Sequence, residues 1–187
     1  MKRAAMVALV LGVLAGRANA AGPAAYVADP AQSRLEFVGV QAGAPFTGVF
    51  HKFGAVVDFS PDALDASRFD VSIDVNSLDS MDQDRDGTMR GADLLDTAHS
   101  PTSRYVTRSM ARTATGYSAV GSLTLRGVTR DVPIEFKFVP APNGARLVGS
   151  ATVKRLDFGV GRGDWKSTEW VGDAVKVNFT LVLKPRG

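Results

Sequence analysis

The chain has 187 residues, which suits one compact domain and leaves too little for two of ordinary size. Nearly half of it (45%) is apolar, with 19 glycines, 9 prolines and 22% charged residues, a composition typical of strands and turns. The absence of cysteine excludes thiol catalysis, iron–sulfur clusters and zinc–thiolate sites.

The first residues have the pattern of a secretory signal peptide. Lys2 and Arg3 precede an apolar run from Ala4 to Ala15, and Ala18-Asn19-Ala20 offers the small residues that a signal peptidase recognises. We therefore expect residues 1–20 to be removed near Ala20, leaving one exported domain over residues 21–187. An exported domain without disulfides fits a bacterial periplasm.

Removal of this leader changes the charge balance. The leader carries Lys2, Arg3 and Arg17 and no acidic residue, so the 22 basic residues fall to 19, equal to the 19 acidic ones. A neutral mature chain with interspersed charges has no electrostatic footprint for nucleic acid, and we expect no nucleic-acid partner.

The rest of the chain is dominated by short alternating runs typical of strands with one dry and one wet face. The clearest are residues 69–76, 132–138 and 175–183, and weaker runs cover residues 35–40, 49–59, 103–110, 117–125 and 147–154. Turn residues separate them, as in Asn143-Gly144 and Arg126-Gly127. Alternation stops between Asp82 and Pro101, where apolar residues recur every third position.

These runs predict an all-β fold: an eight-stranded antiparallel β-barrel with one short helix near residues 87–99. The strands are shorter than the roughly 9–11 residues of outer-membrane barrels, and aromatic girdles are missing, so apolar side chains should face inward. A barrel of eight strands encloses side chains or one small ligand.

The order of motifs resembles the YceI-like family of periplasmic lipid- or polyisoprenoid-binding proteins. The motifs, in chain order, are Tyr26-x-x-Asp29-Pro30, Leu35-x-Phe37, Gly48-x-Phe50-x-x-Phe53, Val75-x-Ser77-Leu78, Arg85-Asp86, Asp93-Leu94-Leu95-Asp96, Gly121-x-Leu123-Thr124-Leu125-x-Gly127-Val128-Thr129, Arg155-x-Asp157-Phe158-Gly159-Val160-Gly161 and Val171-Gly172-Asp173-x-Val175. The resemblance implies a lipocalin-like barrel whose apolar tunnel holds a long isoprenoid chain, such as a quinone or a prenyl phenol. It implies a binding protein rather than an enzyme, with no required cofactor.

One departure from the family pattern lies after the first strand. Where members often carry a histidine, this chain has Gly39-Val40-Gln41-Ala42-Gly43-Ala44-Pro45-Phe46, which is similar to members associated with cytochrome b561-type membrane proteins. A membrane cytochrome is therefore one alternative partner, and a homodimer is another.

Inward-facing apolar residues of the predicted strands and helix are the candidate ligand contacts, because burial of apolar area gains about 25 cal/mol per Å². They are Leu35, Phe37, Phe53, Val71, Ile73, Leu95, Tyr105, Leu123, Leu125, Ile134, Phe136, Phe158, Val177 and Phe179. Arg85 and Arg155, each close to an aspartate, are candidates for hydrogen bonds to a ligand head group or for structural ion pairs at the barrel mouth.

A calcium-responsive protein is the other alternative. Asp82-x-Asp84-x-Asp86-Gly87 matches the first half of a calcium loop, and Asp93 falls at its twelfth position. However, no helix is predicted before this segment, and capping of the following helix by these aspartates is the simpler interpretation. We therefore predict no metal site. No arrangement of nucleophile and base is recognisable, which again favours binding over catalysis.

Overall fold

The computed structural model describes residues 22–187, so the predicted signal peptide lies outside the described residues. The strands are β1 (Ala24–Ala28), β2 (Arg34–Gln41), β3 (Ala44–Phe50), β4 (Phe53–Phe59), β5 (Arg68–Asp74), β6 (Leu78–Asp79), β7 (Thr102–Arg112), β8 (Tyr117–Leu125), β9 (Val128–Ala141), β10 (Gly144–Lys154) and β11 (Ala174–Pro185). One α-helix, α1, spans Gln83–Arg90, and 3₁₀ turns cover Leu64–Ala66, Val75–Ser77, Arg155–Phe158 and Gly163–Lys166.

Six of the short strands form three longer strands, each made of two segments with an interruption between them. β1 and β2 both pair with β11, β3 continues into β4, and β5 continues through a 3₁₀ turn into β6. With β7 to β11 they make eight antiparallel strands, each next to its neighbour in the chain. β11 pairs with β10 on one side and with β1 and β2 on the other, which closes the barrel. The predicted eight-stranded antiparallel barrel is confirmed.

The interruption between β1 and β2 keeps its backbone paired to β11. The Asp29 N–H donates to the Val182 carbonyl at 2.8 Å, and Ser33 Oγ accepts from the Val182 N–H at 3.0 Å. The Ser33 hydroxyl thus takes the place of a backbone carbonyl as partner of the Val182 N–H where the strand bends. An unpaired amide in a closed sheet would cost free energy.

The alternation in the sequence corresponds to the two faces of the wall. Along β9, Val132, Ile134 and Phe136 are buried while Asp131 and Glu135 are exposed. The sheet therefore carries its apolar face inward and its charged face toward solvent.

The predicted helix is present but begins earlier than expected. It spans Gln83–Arg90 rather than residues 87–99, and residues 91–99 form turns. The Asp82 carboxylate caps it by accepting from the Arg85 N–H at 3.0 Å, with acidic residues in its first turn and Arg90 in its last. The period-three pattern falls mostly on the turns that follow, so capping rather than apolar periodicity sets the start of this helix.

Within residues 22–187, no helix combines the length and the hydrophobicity needed to cross a membrane.

Candidate ligand cavity

The barrel encloses a cavity of about 500 Å³, within the range of roughly 300–1,000 Å³ typical of small-molecule sites. Fourteen of the sixteen residues predicted to contact a ligand line this space. They are Leu35, Phe37, Phe53, Val71, Ile73, Leu95, Tyr105, Leu123, Leu125, Ile134, Val177, Phe179, Arg85 and Arg155. Their contact with a ligand stays a prediction.

The other two predicted residues lie elsewhere in the core. Phe136 is buried among aromatic rings, with its centroid 5.0 Å from that of Phe69 and 5.4 Å from that of Tyr117. Phe158 is buried in the 3₁₀ turn after β10, outside the barrel strands. The face on which an apolar residue lies can be inferred from alternation, but its depth along the barrel axis cannot.

An aromatic cluster forms the floor of the cavity. The Phe59 ring packs against Phe138 at 4.5 Å, Tyr117 at 5.0 Å and Phe136 at 5.8 Å between centroids. Phe69 belongs to this cluster and also lines the cavity, so the empty space ends where the rings begin. The barrel is packed solid at this end and hollow above it.

The opposite end is open and polar. Gln41 at the end of β2 and Asp84 and Thr88 of α1 line the cavity while being exposed to solvent, so they mark its mouth. The cavity thus has an apolar interior and a single-sided polar entrance, as expected of a site for a molecule with a long tail and a polar head.

Arg85 holds the entrance together. Its Nε donates to Gln41 Oε1 at 3.1 Å and its Nη2 to Asp82 Oδ2 at 2.9 Å, while the guanidinium lies 4.5 Å above the Phe46 ring centroid. A guanidinium carries five N–H groups, and these contacts with described residues use two of them. The half-buried Arg85 therefore retains donors at the cavity mouth.

Arg155 differs from Arg85 although both line the cavity. Its five N–H groups donate to five backbone carbonyls, those of Gly172, Val160, Trp165, Ser167 and Val171, at 2.7 to 3.2 Å. Burial lowers the pKa of this guanidinium, with the charge of Asp173 opposing the shift. No N–H of Arg155 is left for a head group. These contacts favour the structural alternative for Arg155, with backbone carbonyls rather than a neighbouring carboxylate as its partners.

Gly161 makes this arrangement of Arg155 feasible. It has a φ of 120°, in the region that favours glycine, and a Cβ there would overlap Arg155 Nη1. Gly161 thus lets the loop after β10 close around the buried Arg155 guanidinium.

The polar groups of the cavity wall are paired within the sheet. Tyr105 Oη donates to the Val132 carbonyl at 3.1 Å, and Ser103 Oγ donates to the Thr124 carbonyl at 2.8 Å. Burial, with a smaller effect of Asp131, raises the pKa of Tyr105, so its phenol stays protonated at neutral pH. Neither hydroxyl is left to donate to a ligand, which favours an apolar occupant at this part of the wall.

Several lining residues escaped the sequence prediction. Phe46 and Phe50 lie on β3, and Met89, Trp165 and Val171 lie on the helix and the loops around the mouth. The alternating pattern of residues 49–59 offered a clue to Phe50. The sequence offered no clue to the loop residues Trp165 and Val171. They approach the cavity only because the carbonyls of their loop accept hydrogen bonds from Arg155.

Two of the four aspartates of the suggested calcium loop, Asp82 and Asp86, are occupied by other contacts. Asp82 caps α1 and pairs with Arg85, and the buried Asp86 accepts from the Ser80 N–H at 2.9 Å and the Ser80 hydroxyl at 2.7 Å. Among residues 22–187, no three acidic or histidine side chains converge where a metal ion could bind. The segment is helical, and a calcium loop requires a turn that surrounds the ion.

Sequence comparison places the chain among bacterial proteins of one family. The model of the YceI-like domain matches residues 26–183. A UPF0312 protein of Vibrio cholerae is 32% identical over 151 residues, covering 75% of this chain and 80% of the relative. A UPF0312 protein of Pseudomonas paraeruginosa is 31% identical over 119 residues, covering 60% of this chain and 62% of the relative, so that alignment spans about three-fifths of its length.

Solved structures of the same architecture agree with this assignment. BcnA of Burkholderia cenocepacia is 31% identical, with a TM-score of 0.78 over 82% of this chain and 98% of that one. A polyisoprenoid binding domain from Saccharophagus degradans (18% identical, 88% of this chain and 99% of that one, TM-score 0.63) and the Campylobacter jejuni YCEI protein (21% identical, 75% and 84%, TM-score 0.59) share the fold. From the match over residues 26–183 and the barrel itself, we conclude that the chain belongs to the YceI-like family.

Proposed function

We propose that this protein binds a long apolar lipid of the isoprenoid type, a quinone or a polyprenyl compound, inside the barrel and carries or sequesters it. The observation that carries the proposal is the hollow lumen: about 500 Å³ of space lined by aromatic and aliphatic side chains above an aromatic floor. Displacement of water from such a wall favours binding at about 25 cal/mol per Å² of apolar area.

The comparisons support the chemical class of the ligand. The Saccharophagus degradans domain, which has the same fold, is described as polyisoprenoid binding. Its identity to this chain is 18%, so the likeness itself extends to the fold, and the head group has to be argued from this chain's own mouth residues.

We place the ligand's polar head at Arg85. Its unused N–H groups lie at the open end, where a carbonyl or hydroxyl oxygen could accept from them, whereas Arg155 is saturated by carbonyls. The tail would then run along Phe37, Val71 and Ile73 toward the Phe69 floor.

Binding without chemistry is the simplest account of the described cavity. Its ionisable lining residues are Asp82, Asp84, Arg85, Tyr105 and Arg155. Asp82 and Arg155 are held in structural contacts and the Tyr105 pKa is raised, which supports a carrier rather than a nucleophile-and-base mechanism. The predicted leader supports a periplasmic location for this carrier.

Native mass spectrometry and titration test the proposal. We expect purified protein to carry an extractable lipid, or ligand-depleted protein to bind geranylgeraniol or a short-chain prenyl quinone with 1:1 stoichiometry. Absence of both would contradict it. Arg85→Leu should weaken binding of the prenyl quinone about ten-fold, the value of one hydrogen bond to a charged donor, and leave squalene, which lacks a head group, unaffected. Equal loss for both ligands would contradict a head-group contact at Arg85.

A further inference from the structure

The rim of the cavity mouth carries an apolar surface that the binding of a ligand inside the barrel does not use. The β2–β3 hairpin lies between Glu36 and His51, and no charged residue occurs between them. Its tip, residues 40–45, is exposed to solvent. The tip therefore presents its apolar side chains to solvent with no charged residue among them.

A tryptophan extends this surface. The Ala42 N–H donates to the Trp170 carbonyl at 2.7 Å, which fixes Trp170 beside the hairpin tip, and the Trp170 side chain is 65% exposed. We call residues 40–46 together with Trp170 the apolar lip.

The apolar lip is continuous with the cavity. Phe46 of the lip lines the cavity, and Val171, next to Trp170, lines it as well and pairs with Gln41. On the other side of the mouth, Met81 is 78% exposed immediately before the helix cap Asp82, which also lines the cavity. The mouth therefore has a polar part on the helix, with Asp84, Arg85 and Thr88, and an apolar part at the lip, over which an apolar molecule could enter the lumen.

The charges beside the lip include no excess of positive charge. Arg162 and Lys166 are matched by Asp164 and Glu169 in the exposed loop before Trp170, and Arg85, which touches the lip at Gln41 and Phe46, lies beside Asp82 and Asp84. This surface has no net positive charge to attract anionic head groups, whereas tryptophan is the residue that prefers the interface between head groups and acyl chains.

We propose that the apolar lip docks on the surface of a phospholipid bilayer, so that the mouth opens onto the membrane and the ligand passes between acyl chains and lumen without crossing water. This inference rests on the proposed lipid ligand. The surface that covers the lip is a zwitterionic bilayer. Docking should not depend on salt, because the contact involves no charge pairing.

Two tryptophans make the docking directly measurable. In the Trp165→Phe variant, tryptophan fluorescence comes from Trp170 and reports on the lip. In the Trp170→Phe variant it comes from Trp165, which lines the cavity. Mixing with phosphatidylcholine vesicles should shift the emission of Trp170 to shorter wavelength at both low and high salt. No shift of Trp170 emission with saturating vesicles would overturn the proposal.

Charged substitutions test where the contact lies. Ala44→Glu and Trp170→Glu should each lower the fraction that co-sediments with phosphatidylcholine vesicles about ten-fold or more, whereas Val139→Glu should not, because Val139 is 53% exposed beside the aromatic floor at the opposite end. Equal losses for all three variants, or none, would overturn the proposal. So would a wild-type dimer in analytical ultracentrifugation that Ala44→Glu dissociates, since a second copy would then cover the lip.

The same variants separate this inference from the proposed function. All three should bind solubilised geranylgeraniol as the wild type does, because none of the substituted side chains lines the cavity. Vesicle docking without binding of geranylgeraniol would contradict the proposed function, and binding without docking would contradict only the role of the lip.

Discussion

Phe37 and Gly48 face each other across strands β2 and β3, and the Phe37 ring occupies the space into which a side chain at Gly48 would project. Phe179 and Gly149 repeat this relationship across β10 and β11. In both pairs the aromatic residue lines the cavity. Glycines in the wall thus let large rings lie along the sheet rather than across the lumen, which keeps the interior hollow.

We therefore expect Gly48→Ala to push the Phe37 ring away from the wall, which lowers stability by about 1–3 kcal/mol and weakens ligand binding. Urea unfolding and titration with geranylgeraniol measure both effects. Gly54→Ala is the matched control, because Gly54 also lies in a strand and a Cβ there has no neighbour within 4 Å. If Gly48→Ala and Gly54→Ala behave alike, the close approach of Phe37 to Gly48 has no energetic consequence.

Arg155 should be required for folding stability rather than for head-group recognition. Arg155→Lys keeps the charge but cannot supply five donors, so several carbonyls of residues 160–172 lose their partners. We expect a loss of about 3 kcal/mol or more in the free energy of unfolding, measured in urea. A variant with unchanged stability and reduced affinity for a prenyl quinone would show that Arg155 serves the ligand instead.

Calcium should leave the protein unaffected. Because Asp82 caps α1 and Asp86 is bound to Ser80, we expect no change in Tm when calcium is added to chelator-treated protein. Asp82→Ala should cost about 1 kcal/mol through loss of the cap, with or without calcium. A calcium-dependent rise in Tm that Asp84→Ala abolishes would restore the calcium alternative.

Acid should weaken the junction between β1 and β11. Hydrogen bonds from Lys184, at 2.7 Å, and from Gln32 lower the pKa of Asp29 from its ordinary value of 3.8. A carboxyl group with a lowered pKa in the folded state contributes stability above its unfolded pKa, and the contribution disappears as pH falls through the folded value. Asp29→Asn should therefore reduce Tm at pH 7, and the difference from wild type should shrink below about pH 3.8.

Asp62→Asn provides the control for this pH dependence, since the exposed Asp62 carboxylate has no hydrogen-bond or ion-pair partner among residues 22–187. Its Tm should follow that of the wild type at every pH. A constant difference between Asp29→Asn and wild type from pH 7 to pH 2.5 would contradict the role of the Asp29 carboxylate charge.

The barrel itself could be predicted because the patterns that specify its strands and turns lie within short stretches of sequence. Alternation along residues 132–138 and 175–183 places side chains on one face or the other, and turn residues mark where the chain reverses. Most predicted inward residues accordingly line the cavity. Phe136 does not, because its position near the floor depends on Phe59, which lies on β4, a strand that does not pair with β9.

The mouth could not be predicted in the same way. The roles of Arg85 and Arg155 looked alike in the sequence, each an arginine near an aspartate, yet one retains donors at the entrance and the other is enclosed by carbonyls. That difference arises from the path of residues 159–173 around the guanidinium, which glycines at positive φ permit. Loop closure of this kind has no periodic pattern for sequence analysis to detect.

A pair of adjacent substitutions on β10 tests most directly whether the hollow lumen holds a lipid. Ala151 lines the cavity and the next residue, Thr152, faces solvent. We expect native mass spectrometry with geranylgeraniol to show a 1:1 complex for wild type and Thr152→Phe and none for Ala151→Phe, whose new ring fills the lumen. Equal binding by the Ala151→Phe and Thr152→Phe proteins would contradict the claim that the ligand lies inside the barrel.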